Sequence, residues 1–531
     1  MSSPGIAASN TARISRASVQ SWLASQTYST TFAFIALFAA ALSPVLWFGI
    51  PMAMADYPNH LARMFILSRS GGPHPNPFYE VTWALYPNLA MDLLVPPFGR
   101  LIGVETATRL FYLAGQILIV TGAMAIERVV KGRLAIAGFV ALMFLYSLPF
   151  AWGFVNFEFA LGCALWGIAA AFALQERNWI VRLALHSVVI AWLFVAHLFA
   201  LGIYGFTIGV HELWRARTLR SPLRETLGRL ALMALPTFVL IGIMVRSGGA
   251  VGGHGTRWFF AFKPLWPFRI LSGYSSIVSV ASAVVLILLM HALGRRGALR
   301  FKSSGAWLAA GFALLFLAIP SRPFDTAFAD LRVIVAAGLV MPAFISMSLP
   351  NAAWRRLALA VAAAITVINV GVVLGVWISY RGDYAAAAES FRHLPKRSMV
   401  LVGYSGNGDP TRDLTAPPID YVPTLAVQYA DAFVSDLFME PGKQPVVPAA
   451  PWRRFSVANV GPVPMPVLKA IAEHGASEDT LSFIRTWPRD FDYLYLVGPP
   501  IANPMPALLE EVSTARRFVL YRIRKPAASA Q

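Results

Sequence analysis

Eleven apolar segments, each close to the length of a membrane-crossing helix, constrain this chain more than any other feature. The 531-residue chain is 57% hydrophobic and only 13% charged, whereas globular domains average about a quarter charged residues. Its apolar side chains exceed what one soluble core can bury, so the excess must face lipid. A helix of roughly 20 residues crosses the hydrocarbon layer. The predicted spans are residues 31–50, 106–126, 132–150, 155–174, 180–197, 198–214, 227–246, 272–293, 305–320, 331–349 and 355–378.

The net charge of +18 indicates an orientation in the membrane rather than a nucleic-acid partner. With a cytoplasmic amino terminus, most of the basic excess falls in cytoplasmic connections, as the positive-inside rule requires. The stretch 180–214 decides this arrangement. Two helices that meet near His197 keep the basic connection 211–229 inside, whereas one long helix would place it outside. We therefore favour two helices.

Composition divides the chain into three parts. Residues 1–30 are predicted to be a cytoplasmic tail without an assigned function, residues 31–379 a transmembrane domain, and residues 380–531 a small α/β domain outside the cytoplasm. The first outer loop, 51–105, is far longer than a turn, and such loops tend to be functional. We expect two interfacial helices in it. One begins at Pro58, and the apolar stretch 89–104 would be broken by its two prolines.

The carboxy-terminal part has the alternation typical of short strands and helices. Strands are predicted at residues 398–405, 492–498 and 516–523, and helices at 424–438 and 505–515. A single cysteine, Cys163, excludes a disulfide framework and a cysteine metal site. We find no glycine-rich phosphate loop, no HExxH motif and no internal repeat of fixed period.

The strongest candidate for chemistry is the segment MADYPNHLAR, residues 54–63, where the first span leaves the membrane. Asp56 precedes a predicted helix start, where the backbone amides and the helix dipole favour the ionised carboxylate. Such a carboxylate can take a proton from an acceptor hydroxyl. His60, four residues on, can hydrogen-bond a phosphate or a sugar. The alternatives are that Asp56 only caps the helix and that His60 is a solvated interfacial residue.

This loop resembles the GT-C class of membrane glycosyltransferases, which includes protein O-mannosyltransferases and lipid A aminoarabinose transferases. The resemblance lies in an acidic residue directly after the first span, in the pattern DxPxH formed by Asp56, Pro58 and His60, and in the many spans with an outer carboxy-terminal domain. It implies a bacterial inner-membrane enzyme that transfers a sugar from a polyprenyl-phosphate donor to an acceptor hydroxyl on the periplasmic side, with inversion. In the class the first-loop acid is the base, and this role carries over to Asp56.

Other polar residues near the outer boundary are candidates for binding donor or acceptor. Glu158 is an acid at membrane depth, where an unpaired charge is costly, so we expect a partner such as a base, a divalent cation or Asn156. We expect Arg332 to hold phosphate, with Asp330 as its orienting partner. Helix packing for Asp92 and a structural hydrogen bond for His197 are the more ordinary alternatives. The candidate binding residues are His60, Arg63, Asp92, Asn156, Glu158, His197, Arg257, Asp330 and Arg332.

Two other functions fit the same spans. A transporter or lipid flippase usually has paired repeats and charges near the midplane, whereas the polar residues here gather at one face. A non-catalytic subunit of envelope polysaccharide assembly is the other alternative. The sugar, the acceptor, any metal requirement and the oligomeric state do not follow from the sequence.

Overall fold

The computed structural model describes residues 28–247, 255–323, 327–406, 417–440, 442–455, 461–478 and 480–525. The predicted tail therefore lies almost wholly outside the described residues. Fifteen helices precede the carboxy-terminal sheet within these ranges. They are α1 (Tyr28–Leu46), α2 (Tyr57–Arg69), α3 (Ala90–Ile102), α4 (Val104–Lys131), α5 (Ala137–Phe144), α6 (Leu148–Trp152), α7 (Val155–Ala173), α8 (Trp179–Ala196), α9 (Leu198–Leu219), α10 (Leu223–Arg246), α11 (Trp266–Arg269), α12 (Ser276–Arg295), α13 (Gly305–Ala318), α14 (Ala329–Val340) and α15 (Ala352–Ser390).

Each predicted span coincides with helix, but not every span is one long helix. Six helices of the described residues, α4, α7, α8, α10, α12 and α15, have the length and apolar composition to cross a membrane. The prediction of one continuous span over 132–150 is wrong, because α5 ends at Phe144 and α6 begins only at Leu148. Pro149 lies in the first turn of α6, where a proline is well tolerated. In the interior of one continuous helix it would remove a backbone hydrogen bond and clash with the preceding turn.

Two further predictions concern helix ends. Helix α8 ends at Ala196 and α9 begins at Leu198, so the prediction of two helices over 180–214 is confirmed. Helix α14 ends at Val340, short of the predicted 349. The chain continues in a 3-10 turn and then in strand β3, Ile345–Met347, which pairs with β2, Leu299–Phe301.

The carboxy-terminal part contains a six-stranded mixed sheet. Strand β4 (Met399–Tyr404) pairs in parallel with β5 (Phe433–Val434), β7 (Val463–Pro464) and β8 (Tyr493–Val497). Strand β10 (Phe518–Ile523) pairs antiparallel with β8 and with β9 (Leu509–Ala515). Besides short 3-10 helices, the described residues also contain strand β1 (Tyr79–Val81), strand β6 (Val446–Pro448) and helices α16 (Ala426–Ala430), α17 (Met465–His474) and α18 (Trp487–Asp490).

The sheet confirms three predicted strands and corrects two predicted helices. Strands β4, β8 and β10 lie where alternation predicts them. Residues 505–515, predicted as helix, instead contain β9, because pairing with β10 outweighs the helix propensity of Leu, Glu and Ala. Residues 424–438 contain only short helical turns and β5.

The first loop is bound to the carboxy-terminal part of the chain. Strand β1 pairs antiparallel with β6. In α2, Asn59 donates from Nδ2 to the carbonyl of Asp436 at 2.8 Å and accepts at Oδ1 from the Phe438 N–H at 2.7 Å. Most residues of α2 are buried. Residues distant in sequence therefore cover part of α2, and its position at the membrane surface stays a prediction.

Helix α3 presents an apolar surface. Leu93, Phe98, Leu101 and Ile102 are exposed on it. It continues through Pro96 and Pro97, which were predicted to break it. Helix α15 also continues past residue 380, where we placed the start of the outer domain, and reaches Ser390.

Candidate functional site

Asp56 is positioned by backbone hydrogen bonds to the last two residues of α6. The amides of Ala55 and Asp56 donate to the carbonyls of Ala151 and Trp152, at 3.1 and 3.0 Å. The carbonyl of Asp56 accepts from the His60 N–H at 3.0 Å, which begins α2. Asp56 is thus fixed between the start of α2 and the end of α6.

Gly153, the residue that follows α6, lets the backbone there approach Asp56 closely. Its φ is +91°, and a Cβ built on it would lie 3.0 Å from the Asp56 Cβ and 3.2 Å from the Asp56 amide nitrogen. Only glycine adopts such a φ readily, and only glycine leaves this space free. The sequence at 151–154 therefore fixes how closely Asp56 packs against α6.

The carboxyl group of Asp56 does not cap α2. Its side chain makes no capping hydrogen bond, and within the described ranges it has no ion pair. Although Asp56 keeps some exposed surface, surrounding protein raises its pKa from 3.8 to about 7, while the charges of Arg332 and Arg63 partly offset this effect. Desolvation therefore outweighs the helix start, contrary to our expectation of a carboxylate stabilised by the dipole. The carboxyl exchanges its proton near neutral pH.

Arg332 brings a buried guanidinium toward Asp56. It is 5% exposed, and its carbon lies 4.4 Å from the ring centre of Phe154, 5.1 Å from Phe157 and 5.8 Å from Phe199. Its Nη1 is 3.1 Å from Nε2 of His197, and Nη2 donates to the carbonyl of Ala327 at 3.2 Å.

Asp330 is not the partner of Arg332. Its carboxylate accepts from the Ser321 hydroxyl at 2.6 Å and from the Leu331 amide, and it lies 4.0 Å from Lys263. The predicted orienting role of Asp330 is wrong because neighbouring residues of a helix point in different directions. His197, from the α8–α9 junction, contacts the guanidinium instead.

Arg63 and Asp92 form a buried ion pair. Nε and Nη2 of Arg63 lie 2.9 and 3.1 Å from the two Asp92 oxygens, and the side chains are 3% and 1% exposed. Nη1 of Arg63 also donates to Gln444 at 3.2 Å. The packing alternative for Asp92 is therefore the better description, and Arg63 acts on Asp56 only through its charge.

His60 lies beside Asp56 but is turned to the protein backbone. Its Nε2 donates to the carbonyl of Gly153 at 3.1 Å, and its ring contacts Phe438. Burial and the nearby charge of Arg63 lower the His60 pKa from 6.5 to about 3. The ring is therefore neutral and is not a solvated interfacial residue.

Glu158 and Asn156 do not pair with each other. Asn156 accepts from the Met91 amide at 2.9 Å and donates to the carbonyl of Asn88 at 3.1 Å, so it connects α7 to the first loop. Glu158 is 7% exposed, and its side chain makes no hydrogen bond or ion pair with the residues that the structure describes. The expected protein partner of Glu158 is therefore not found in these ranges.

Two tyrosines that the sequence did not single out belong to this group. The rings of Tyr57 and Tyr112 lie 6.0 Å apart, and both buried hydroxyls lack a hydrogen-bond partner among the described residues. Tyr112 is within electrostatic range of both Asp56 and Glu158. The position of Tyr112 inside an apolar span could have identified it as a candidate from the sequence, because polar groups at membrane depth are often functional.

The structure does not bring Arg257 into the group. Its backbone pairs with that of Arg322, and its side chain is exposed. Lys263, in the same connection, donates to the carbonyls of Phe316 and Ile319. His254, in the same connection, lies outside the described residues.

The described residues contain no cluster of three or more His, Cys, Asp or Glu side chains that could hold a metal ion. The site that they do form consists of Asp56, Glu158, Arg332, His197 and Tyr112. It combines a carboxyl group whose pKa is about 7, a second carboxyl group that is buried, and a guanidinium surrounded by three phenylalanine rings.

No family model and no curated protein matches the chain. The solved structures that are similar to it include the crystal structure of ArnT from Cupriavidus metallidurans in the apo state. That match has 15% sequence identity and a TM-score of 0.49, and it covers 95% of this chain and 100% of that chain.

Proposed function

We propose that this chain is a GT-C-like membrane glycosyltransferase that moves a sugar from a polyprenyl-phosphate donor to an acceptor hydroxyl at the periplasmic face of a bacterial inner membrane. One observation carries the proposal: Asp56 keeps some exposed surface, has a pKa of about 7, and makes no capping hydrogen bond. A base is most effective when its pKa is near the working pH. The pattern of Asp56, Pro58 and His60 resembles this class, and lipid-linked donors enter from the bilayer.

In the proposed reaction, an Asp56 carboxylate oxygen takes the proton of the acceptor hydroxyl. The acceptor oxygen forms a bond to the anomeric carbon as the bond from that carbon to the phosphate oxygen breaks. The bonding electrons leave with the phosphate, and attack from the opposite face inverts the anomeric centre. Arg332 stabilises the charge that develops on the leaving phosphate. Tyr112, which is within electrostatic range of both Asp56 and Glu158, would contact the sugar together with Glu158.

The proposal predicts a specific pH dependence of transfer. Because the base must be unprotonated, kcat/KM should rise with pH and reach half its maximum near pH 7, following the raised pKa of Asp56. The measurement uses purified protein in lipid vesicles with polyprenyl-phosphate pentoses and hexoses, and an envelope lipid and glycan extract as acceptor. Release of polyprenyl phosphate reports turnover. Absence of release from every donor, or a rate that falls as pH rises through 7, would contradict the proposal.

Gly153→Ala should impair turnover more than it impairs folding. The new Cβ would press on Asp56 at 3.0 Å, and misplacement of a catalytic group by about 1 Å can lower a rate on the order of 100-fold. We expect kcat to fall by roughly 10- to 100-fold.

Gly132→Ala is the matched control for this substitution. Gly132 follows α4 and, like Gly153, has left-handed helical geometry with a φ of +75°, but a Cβ there meets nothing within 4 Å. Both variants carry backbone strain of about 1–2 kcal/mol, which lowers both melting temperatures. Equal kcat values for the two variants would show that the contact with Asp56 has no influence on turnover.

A further inference from the structure

His197 makes two contacts that a single imidazole cannot satisfy together. It lies between α8 and α9 in an extended conformation, and its Nδ1 accepts from the Phe199 amide at 3.1 Å, which caps α9. Its Nε2 lies 3.1 Å from Nη1 of Arg332. Both the amide and the guanidinium are donors, so both contacts require a lone pair on the ring.

A neutral imidazole has one N–H and one lone pair. If the proton is on Nε2, the cap of α9 is intact but two N–H groups face each other at Arg332. If the proton is on Nδ1, Arg332 is satisfied but the Phe199 amide faces a donor. A doubly protonated ring would have no lone pair and would lie beside a guanidinium. In each form, at least one donor at this position lacks an acceptor.

Arg332 has a further unused donor, on the edge of the guanidinium that Nε shares with Nη2. Its Nε is buried and has no hydrogen-bond partner among the residues described. The phenylalanine rings approach the guanidinium carbon at 4.4 to 5.8 Å and provide no acceptor. Asp56 influences Arg332 through its charge, but within the described ranges no ion pair joins them. The donors of His197 and Arg332 therefore outnumber the acceptors around them among the described residues, and an external acceptor would satisfy them.

We propose that His197 carries its proton on Nε2 and that this N–H, together with the free N–H groups of Arg332, binds an oxygen of a phosphate group. One anionic oxygen can accept from both residues, which leaves Nδ1 free to cap α9. Phosphate suits this arrangement because its several oxygens can accept from more than one edge of a guanidinium. The identification of the ligand as a lipid-linked phosphate rests on the proposed function, whereas the arrangement of the donors does not.

Two substitutions at His197 separate anion binding from helix capping. In His197→Asn the amide oxygen replaces Nδ1, and asparagine is a favoured N-cap residue, but no group replaces Nε2. In His197→Gln the amide nitrogen lies near the position of Nε2 and restores a donor. We expect polyprenyl phosphate to bind His197→Asn about 10- to 100-fold more weakly, as expected for loss of a hydrogen bond to a charged group. His197→Gln should bind within a few-fold of wild type.

His186→Asn is the matched control. His186 is a buried histidine of α8 whose Nδ1 contacts the Tyr204 hydroxyl. Its replacement by asparagine should leave phosphate binding unchanged. Calorimetry in detergent, with polyprenyl phosphate and inorganic phosphate as separate probes, distinguishes the lipid source from the free anion. Nitrogen-15 NMR of labelled histidine, with His197→Asn to identify the signal, should show the proton on Nε2 in the bound state.

The outcomes are distinct. Equal binding by wild type and His197→Asn, or a bound state with the proton on Nδ1, overturns this inference even if sugar transfer occurs. Phosphate binding that depends on His197, in a protein that transfers no sugar, supports the anion site and refutes the proposed glycosyltransferase. Dependence on His197 with inorganic phosphate but not with the lipid would overturn the lipid source.

Discussion

Asp56→Asn should lower kcat by about 10²- to 10⁴-fold, the usual contribution of a positioned general base. The amide keeps the size of the side chain but cannot take the proton of the acceptor hydroxyl. Since Asp56 makes no capping hydrogen bond, α2 should remain intact. Transfer from a polyprenyl-phosphate sugar is the measurement, made at equal amounts of folded protein.

Asp431→Asn is the control for Asp56→Asn. Asp431 is a carboxylate that pairs with Arg69 at the other end of α2, at 2.7 Å, so this variant loses a charge at the same helix but away from the base. It should retain most of the turnover. Equal rates for Asp56→Asn and wild type would exclude Asp56 as the base.

The pH dependence of the melting temperature is a second, independent test of Asp56→Asn. The pKa of Asp56 is raised from 3.8 to about 7 in the folded protein, so between these pH values the folded state holds a proton that the unfolded state has lost. The free energy of unfolding therefore decreases as pH rises through this window. Asp56→Asn removes the effect, and its melting temperature should exceed that of wild type at pH 8 but approach it near pH 4. A difference that does not change with pH would refute the raised pKa.

Asp92→Ala should destabilise the protein by about 3–5 kcal/mol, because removal of one partner leaves the other charge buried and uncompensated. The remaining charge is that of Arg63, whose side chain is only 3% exposed. Unfolding in detergent, followed by circular dichroism at increasing temperature, measures the loss.

A double substitution distinguishes a structural pair from a functional one. Replacement of a buried ion pair by apolar side chains of similar volume is often neutral or stabilising, so Arg63→Met with Asp92→Leu should recover most of the stability. It should also retain transfer if the pair only joins α2 to α3. A stable double variant without activity would show that the charge of Arg63 is needed beside Asp56.

Local patterns predicted the helices and the position of Asp56 well. The apolar segments coincide with helices, α8 and α9 separate at His197, and Asp56 stands directly before α2. These features depend on residues close together in sequence. Hydrophobic periodicity and the proline of the second helical position were sufficient signals.

The environment of the site depended on contacts that no local pattern contains. Arg332 contacts His197, 135 residues away, rather than the nearby Asp330. The pKa of Asp56 follows from burial by helices that are distant along the chain, so the helix start alone suggested the opposite direction. The position of Tyr112 inside an apolar span was available as a signal, but its proximity to the two carboxyls of Asp56 and Glu158 was not.

The hydrogen bonds of Asn59 have a consequence for biosynthesis. They join α2 to residues 377 and 379 positions later in the chain, and β1 pairs with β6 over a similar separation. During translation the membrane helices can insert while these partners do not yet exist. The segment that carries the proposed base therefore acquires these supports only after residues 436–448 have been made, and a chain terminated before them would keep the preceding helices without them.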